Sequence, residues 1–233
     1  MRLKVKDAAG LLNVSEKTIY RWVAQNKIPV HRLNDQYRFN RLELLEWATA
    51  QHIPVSPQMT AEPEGDWPVS LEHALRAGGI HYRVEGTDKA SVLRSVIDVV
   101  PLSEDVDREF LLQMLLVRES LGSTAIGNGI AIPHVRNPIM LHLPTPLLVL
   151  CFLENPIDFR AIDGKPVSIL FTIFSPSIQS HLALLSRLSF GLRSSAFADA
   201  VARVGLREEI FQAAVELDQQ VEQTTRSGEG SAQ

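Results

Sequence analysis

Leu147-Leu148-Val149-Leu150-Cys151-Phe152-Leu153 and Val167-Ser168-Ile169-Leu170-Phe171-Thr172-Ile173-Phe174 are two continuous apolar runs of strand length. Runs of this kind belong to strands covered on both faces, where no alternation with polar residues is needed. The segments around them carry apolar residues at helical spacing instead. Val92, Leu93, Val96 and Ile97 share one face, and Val106, Phe110, Leu111, Met114, Leu115 and Val117 mark another helix. The pattern predicts a short helix from Leu71, a strand over Ile80 to Val84, and helices near residues 177–190, 196–204 and 206–221. The predicted class is α/β, with a mixed sheet flanked by helices.

Working outward, 233 residues with 45% apolar and 21% charged content suit two compact domains and exclude a disordered chain. The single cysteine, Cys151, excludes a disulfide framework and any multi-cysteine zinc or iron–sulfur site. In mid-strand it reads as an inert buried thiol. No apolar run approaches the roughly 20 residues that cross a bilayer. Met1 to Asp7 is not followed by the apolar stretch of a signal peptide. A cytoplasmic protein with no membrane insertion is the expectation.

Charge divides the chain. Residues 1–50 hold nine Lys/Arg against five Asp/Glu, a surplus of four; the rest holds fourteen against twenty-two, a deficit of eight. A small basic head on a larger acidic body suggests different partners, and basic charge attracts phosphate backbones by releasing counterions. The Pro-rich stretch His52 to Gly65 marks a linker, and Thr224 to Gln233 is polar and Gly-rich. The expected layout is a head over 1–51, a linker over 52–68, a body over 69–221 and a disordered tail over 222–233.

In the head, Val5 to Leu12 is a short amphipathic helix, Asn13-Val14 a turn, and Ser15 an N-cap for a second helix running to about Asn26. Ile19, Trp22 and Val23 take one face of it, and Lys17, Thr18, Tyr20 and Arg21 lie mostly on the other. That is helix-turn-helix geometry, with the second helix presented to the major groove. Alternating residues either side of Asn34-Asp35-Gln36 predict a hairpin placing Arg32, Gln36 and Arg38 against the DNA backbone or minor groove. Leu42, Leu44, Leu45 and Trp47 form a closing helix. Over residues 3–50 the sequence resembles the excisionase-type winged helix-turn-helix, a relative of the MerR DNA-binding domain. The resemblance implies DNA binding through Ser15, Lys17, Thr18, Tyr20 and Arg21 and through the wing. A protein-interaction module with solvated basic faces is the plainer alternative.

The body's most informative segment is Arg118 to His134, where three glycines, Ser123 and Thr124 precede Ile130-Ala131-Ile132-Pro133-His134. Gly122 and Gly127 fit the start of G-x-x-x-x-G-K-[ST], but Asn128-Gly129 stands where Lys-Ser/Thr is required, so no P-loop is present. What remains is a Gly-rich loop, whose amides can face an anion, beside a histidine fixed by proline. A neutral imidazole nitrogen is a competent nucleophile toward phosphorus. Phosphorylation adds about two negative charges that need donors nearby. Arg118, Ser123, Thr124 and His181 are the candidates. Taken singly, Arg118 also reads as a solvated helix-end cation, His181 as a helix cap and His134 as a satisfied core or turn histidine.

This constellation resembles the phosphotransferase-system EIIA domain of the fructose–mannitol type, including its nitrogen-regulatory branch, over most of residues 70–220. The resemblance implies that His134 is the phosphoryl acceptor, open to an HPr-like donor protein. It further implies that Arg118 pairs with the phosphate, that His181 is the second active-site histidine, and that Thr124 is the loop hydroxyl. No cofactor or metal is expected. The combined reading is a phosphotransferase-system-linked regulator that binds DNA. The alternatives are an EIIA carrier passing phosphate to a sugar-specific EIIB partner, or a sensor that sequesters another regulated protein. No long heptad segment offers a coiled coil, so any homodimer forms through the body.

Overall fold

Side-chain caps set most helix starts in the computed structural model, which describes residues 2–33, 36–51, 53, 69–104, 106–135, 143–193 and 195–229. In the head, β1 (Arg2–Leu3) leads into α1 (Val5–Leu11). A turn with Asn13 at φ 51° follows, and Ser15 then accepts the Thr18 N–H to start α2 (Glu16–Ala24). The strands β2 (His31–Leu33) and β3 (Gln36–Asn40) form the expected hairpin. β1 adds a third strand on the far side of β3, which the sequence did not suggest. The closing helix α3 (Arg41–Ala50) packs over them. Ala8, Leu12, Ile19, Phe39, Leu44 and Ala48 fill the head's own core, and Trp22 of α2 meets Trp47 of α3 edge-on at 5.2 Å.

The body opens with α4 (Leu71–Gly78), β4 (Ile80–Val84), α5 (Lys89–Val99) and α6 (Arg108–Ser120). It continues through β5 (Ala125–Gly127), β6 (Ile130–Ala131), β7 (Leu147–Ile157) and β8 (Val167–Phe174). It closes with α7 (Ile178–Gly191), α8 (Ala196–Ala202) and α9 (Arg207–Glu229). The sheet order is β4-β7-β8-β6-β5. β4 with β7 and β6 with β8 are parallel, while β7 with β8 and β5 with β6 are antiparallel, so the sheet is mixed as expected.

The two apolar runs are the central strands, and each faces two cores. Leu148, Leu150 and Phe152 point into a cluster with α4, α7, α8 and α9, while Leu147, Val149 and Cys151 point into one with α5 and α6. Cys151 is fully buried, and burial pushes its thiol up to about 12.

Two expectations need correction or fall outside the described residues. α9 continues to Glu229, past the boundary read at residue 221, so residues 222–229 are helical rather than a disordered tail. The apolar pattern ends at Val221, whereas an established helix extends past it at little cost per residue. Residues 230–233, the tip Asn34-Asp35 and, apart from Ile53, the 52–68 linker lie outside the described residues. No helix among the described residues is long and apolar enough to cross a membrane.

Candidate functional site

The turn from sheet to site begins at Asn128-Gly129. Both residues have positive φ, 52° and 75°, and they join β5 to β6 as a two-residue hairpin turn. The glycines thus serve a tight reversal. The Asn128 N–H donates to Asp163 at 2.9 Å, and the Gly129 carbonyl accepts from Ser168 and Ile169. The Asn128 N–H and the Gly129 carbonyl are thus committed to neighbours away from the histidine.

β6 then delivers His134. The chain stays aligned with β8 through a parallel bridge to Ile173, and Pro133 accepts the Ile173 N–H at 3.1 Å. The imidazole Nδ1 lies 2.8 Å from the Ile132 carbonyl. A carbonyl only accepts, so Nδ1 carries a hydrogen and Nε2 is left as the reactive nitrogen. Arg118, in the last turn of α6, directs its Nε to His134 Nε2 at 3.2 Å and anchors on the Gly122 carbonyl at 3.0 Å. His181, in the first turn of α7, sets its ring 5.0 Å from the His134 ring. Its Nε2 is buried with no hydrogen-bond partner. Burial, followed by the charges of His134 and Arg118, lowers its pKa to about 3, so it is neutral.

His134, Arg118 and His181 are therefore brought together. Thr124 is placed differently: its hydroxyl and its N–H both donate to Glu119, at 2.7 and 3.0 Å. Glu119 in turn is ion-paired with Lys89 at 2.8 Å. The Thr124 carbonyl accepts from Ile132, so Thr124 ties α6 to the strand that carries His134. Ser123 donates to the Phe159 carbonyl.

The expectation of an open acceptor ring is overturned. His134 is only 3% exposed, because Glu46 of α3, from the head, sits on it. Glu46 Oε1 lies 2.7 Å from His134 Nε2, and its Oε2 lies 2.7 Å from an Arg118 nitrogen. Burial would raise the Glu46 pKa. The His134 hydrogen bond, then the charges of His134 and Arg118, outweigh that and bring it to about 2. The neighbouring Leu45 is fully buried in the body's core, not the head's, and Thr49 meets Ser189 of α7 at 2.9 Å. Glu46 went unnoticed because it lies 88 residues from its partner. The available signal was α3 itself, whose apolar residues are not confined to one stripe, as in a helix covered on two sides.

Donor atoms of Glu46, His134 and His181 lie within 4.8 Å of one another, close enough to span a small cation. The Arg118 guanidinium bonds one of the three and touches another, so the cluster's electrostatics favour an anion.

On the head, Lys17, Arg21 and Tyr20 of α2 remain exposed, with Tyr20 half exposed, and Thr18 is half-buried where its hydroxyl meets Ser15 at 3.0 Å. Arg32 is exposed on β2, and Arg38 of β3 donates to Gln36 and to the Tyr37 carbonyl. The body thus leaves the basic helix face uncovered.

The family model of the phosphoenolpyruvate-dependent sugar phosphotransferase system, EIIA 2, matches residues 74–215, and a helix-turn-helix domain model matches residues 2–52. The nitrogen regulatory protein of Pseudomonas aeruginosa is 32% identical over 152 residues, covering 64% of this chain and 97% of that protein. That of Escherichia coli is 32% identical over 151 residues, covering 63% and 90%. The crystal structure of the nitrogen regulatory protein IIA-Ntr from Neisseria meningitidis superposes with a TM-score of 0.51 at 26% identity, covering 62% of this chain and 94% of that one.

Proposed function

Given that the chain belongs to the EIIA 2 family of the phosphoenolpyruvate-dependent sugar phosphotransferase system, we propose that it is a regulator that accepts a phosphoryl group on His134 and binds DNA through its head. The observation that carries the first half is the convergence of three groups. A nitrogen fixed by the Ile132 carbonyl on its far side faces a guanidinium at 3.2 Å, with a second imidazole ring at 5.0 Å. The Nε2 lone pair attacks phosphorus as the nitrogen–phosphorus bond of an HPr-like donor's phosphohistidine breaks, and that electron pair returns to the donor imidazole. Arg118 balances the arriving charge, and the unpartnered His181 Nε2 supplies a hydrogen-bonding position. Thr124 acts through Glu119, by holding the strand.

The helix-turn-helix match and the exposed Lys17, Tyr20 and Arg21 support DNA as the head's partner. The reading places the protein in the cytoplasm. The test is mass spectrometry after incubation with phosphoenolpyruvate and the general phosphotransferase proteins. One added phosphoryl group, absent from His134→Ala, is the expected result. Label that survives on that variant overturns the site. Rapid onward transfer to an added EIIB, with no salt-dependent DNA retardation, would instead establish the carrier.

A further inference from the structure

We infer that Glu46 is a built-in occupant of the phosphoryl position, so that a docked head and a phosphorylated His134 exclude each other and phosphorylation releases the head. This rests on His134 being the phosphoryl acceptor proposed above. The first argument is space. An oxygen held 2.7 Å from Nε2 stands where the oxygens of a phosphoryl group on that nitrogen would lie. Its sister oxygen takes the Arg118 donor that the phosphoryl group would need. Glu46 thus makes an anion's contacts, with one negative charge in place of about two.

Glu46 and Arg118 also compete for one nitrogen. Glu46 is ionised, so it can only accept, and its contact requires a hydrogen on Nε2. Arg118 Nε can only donate, and its contact requires a lone pair on the same Nε2. The two cannot be satisfied at once. With Glu46 in place its oxygen covers Nε2, and Arg118 is satisfied through Glu46. With Glu46 gone, Arg118 alone orients Nε2 toward an incoming phosphoryl group. Transfer then forms the Nε2–phosphorus bond as the donor's bond breaks. The new charge repels any returning carboxylate.

The third argument is mechanical. Leu45 and Thr49 flank Glu46 on α3 and, with Leu11 of α1, hold the head on the body. Leu44 and Ala48 of the same helix stay in the head's core, and Trp47 holds Trp22 of α2. Removing Glu46 from the pocket therefore moves α2 with α3. Because the body does not cover α2, release changes where the DNA-binding face is carried rather than uncovering it.

The experiment uses the full chain and measures the rate of phospho-His134 formation from phosphoenolpyruvate and the general phosphotransferase proteins. Hydrogen exchange over residues 41–50 is read before and after. Glu46→Ala and, as a second route that leaves the pocket intact, Leu45→Asp should each raise the rate about ten-fold or more, the factor by which docking withholds the competent fraction. In the wild-type chain, phosphorylation should abolish protection at the body-facing positions of α3. Equal rates in all three proteins, or unchanged protection in the phosphorylated chain, would overturn the inference while leaving His134 as acceptor. No phosphorylation of folded Glu46→Ala or Leu45→Asp would instead defeat the acceptor reading itself.

Discussion

Two helices of the head, α2 and α3, are joined through the β2–β3 hairpin, share one core and meet different surroundings. α2 buries Ile19 and Val23 and leaves Lys17, Tyr20 and Arg21 in water. α3 buries Leu44 and Ala48 in the head and Leu45 in the body, and turns its one mid-helix acid, Glu46, onto a buried imidazole. The difference teaches that α2 reads as a surface awaiting a partner, whereas α3 already has one. A helix covered on one side shows its function in its exposed residues. A helix covered on both sides shows it only when the second side is known.

The contrast can be broken most sharply at His134. His134→Ala should remove all phosphoryl acceptance while leaving DNA retardation by the α2 face measurable, and loss of both together would show that the two helices do not serve separate partners. Next, the adjacent leucines of α3 should report different cores. Leu44→Ala and Leu45→Ala should each cost about 2–5 kcal/mol in calorimetry, the first in unfolding of the head and the second in separating head from body. A single shared transition for both variants would count against a divided helix. Arg21→Ala should then weaken DNA binding by about 1–3 kcal/mol with the phosphorylation rate untouched. An unchanged retardation titration would move the recognition surface off α2.

The smallest expected effect is with pH. His181 has its folded pKa lowered from 6.5 to about 3, and Glu46 from 4.5 to about 2. In both cases the unfolded or undocked state takes up the proton first, so stability is full above the ordinary pKa and declines as pH falls toward the folded one. Around His181 the facing charged or titratable groups are His134, Glu46 and Arg118. From pH 7 to 6 the loss should stay below about 1 kcal/mol and then grow. Thermal melts in a pH series check this, and a melting temperature that rises between pH 7 and 5 would contradict it.

The sequence made the framework readable because its signals were local. The two apolar runs announced β7 and β8, Ser15 announced α2, and the Ile-Ala-Ile-Pro approach announced a fixed histidine. Arg118 and His181 were legible through resemblance, and their convergence on His134 fits it. Asn128-Gly129 breaks the nucleotide-loop pattern, and Asn-Gly between apolar residues is itself a strong hairpin signal. The Thr124 hydroxyl has a nearer acceptor in Glu119, five residues before it in the chain. Glu46 was beyond reach of local pattern, because nothing in α3 names a partner in the body. The placement of a carboxylate against that ring is a property of how two domains meet.

The fully buried Cys151 has a practical corollary. Its sulfur lies at the middle of the sheet, and its thiol is pushed up to about 12, so almost none is thiolate near neutral pH. Maleimide dyes therefore find no reactive native thiol in the folded chain. One introduced cysteine on α2 and another on α9 could be labelled in the unaltered background, and the distance between the dyes would follow the head turn by turn as phosphate arrives.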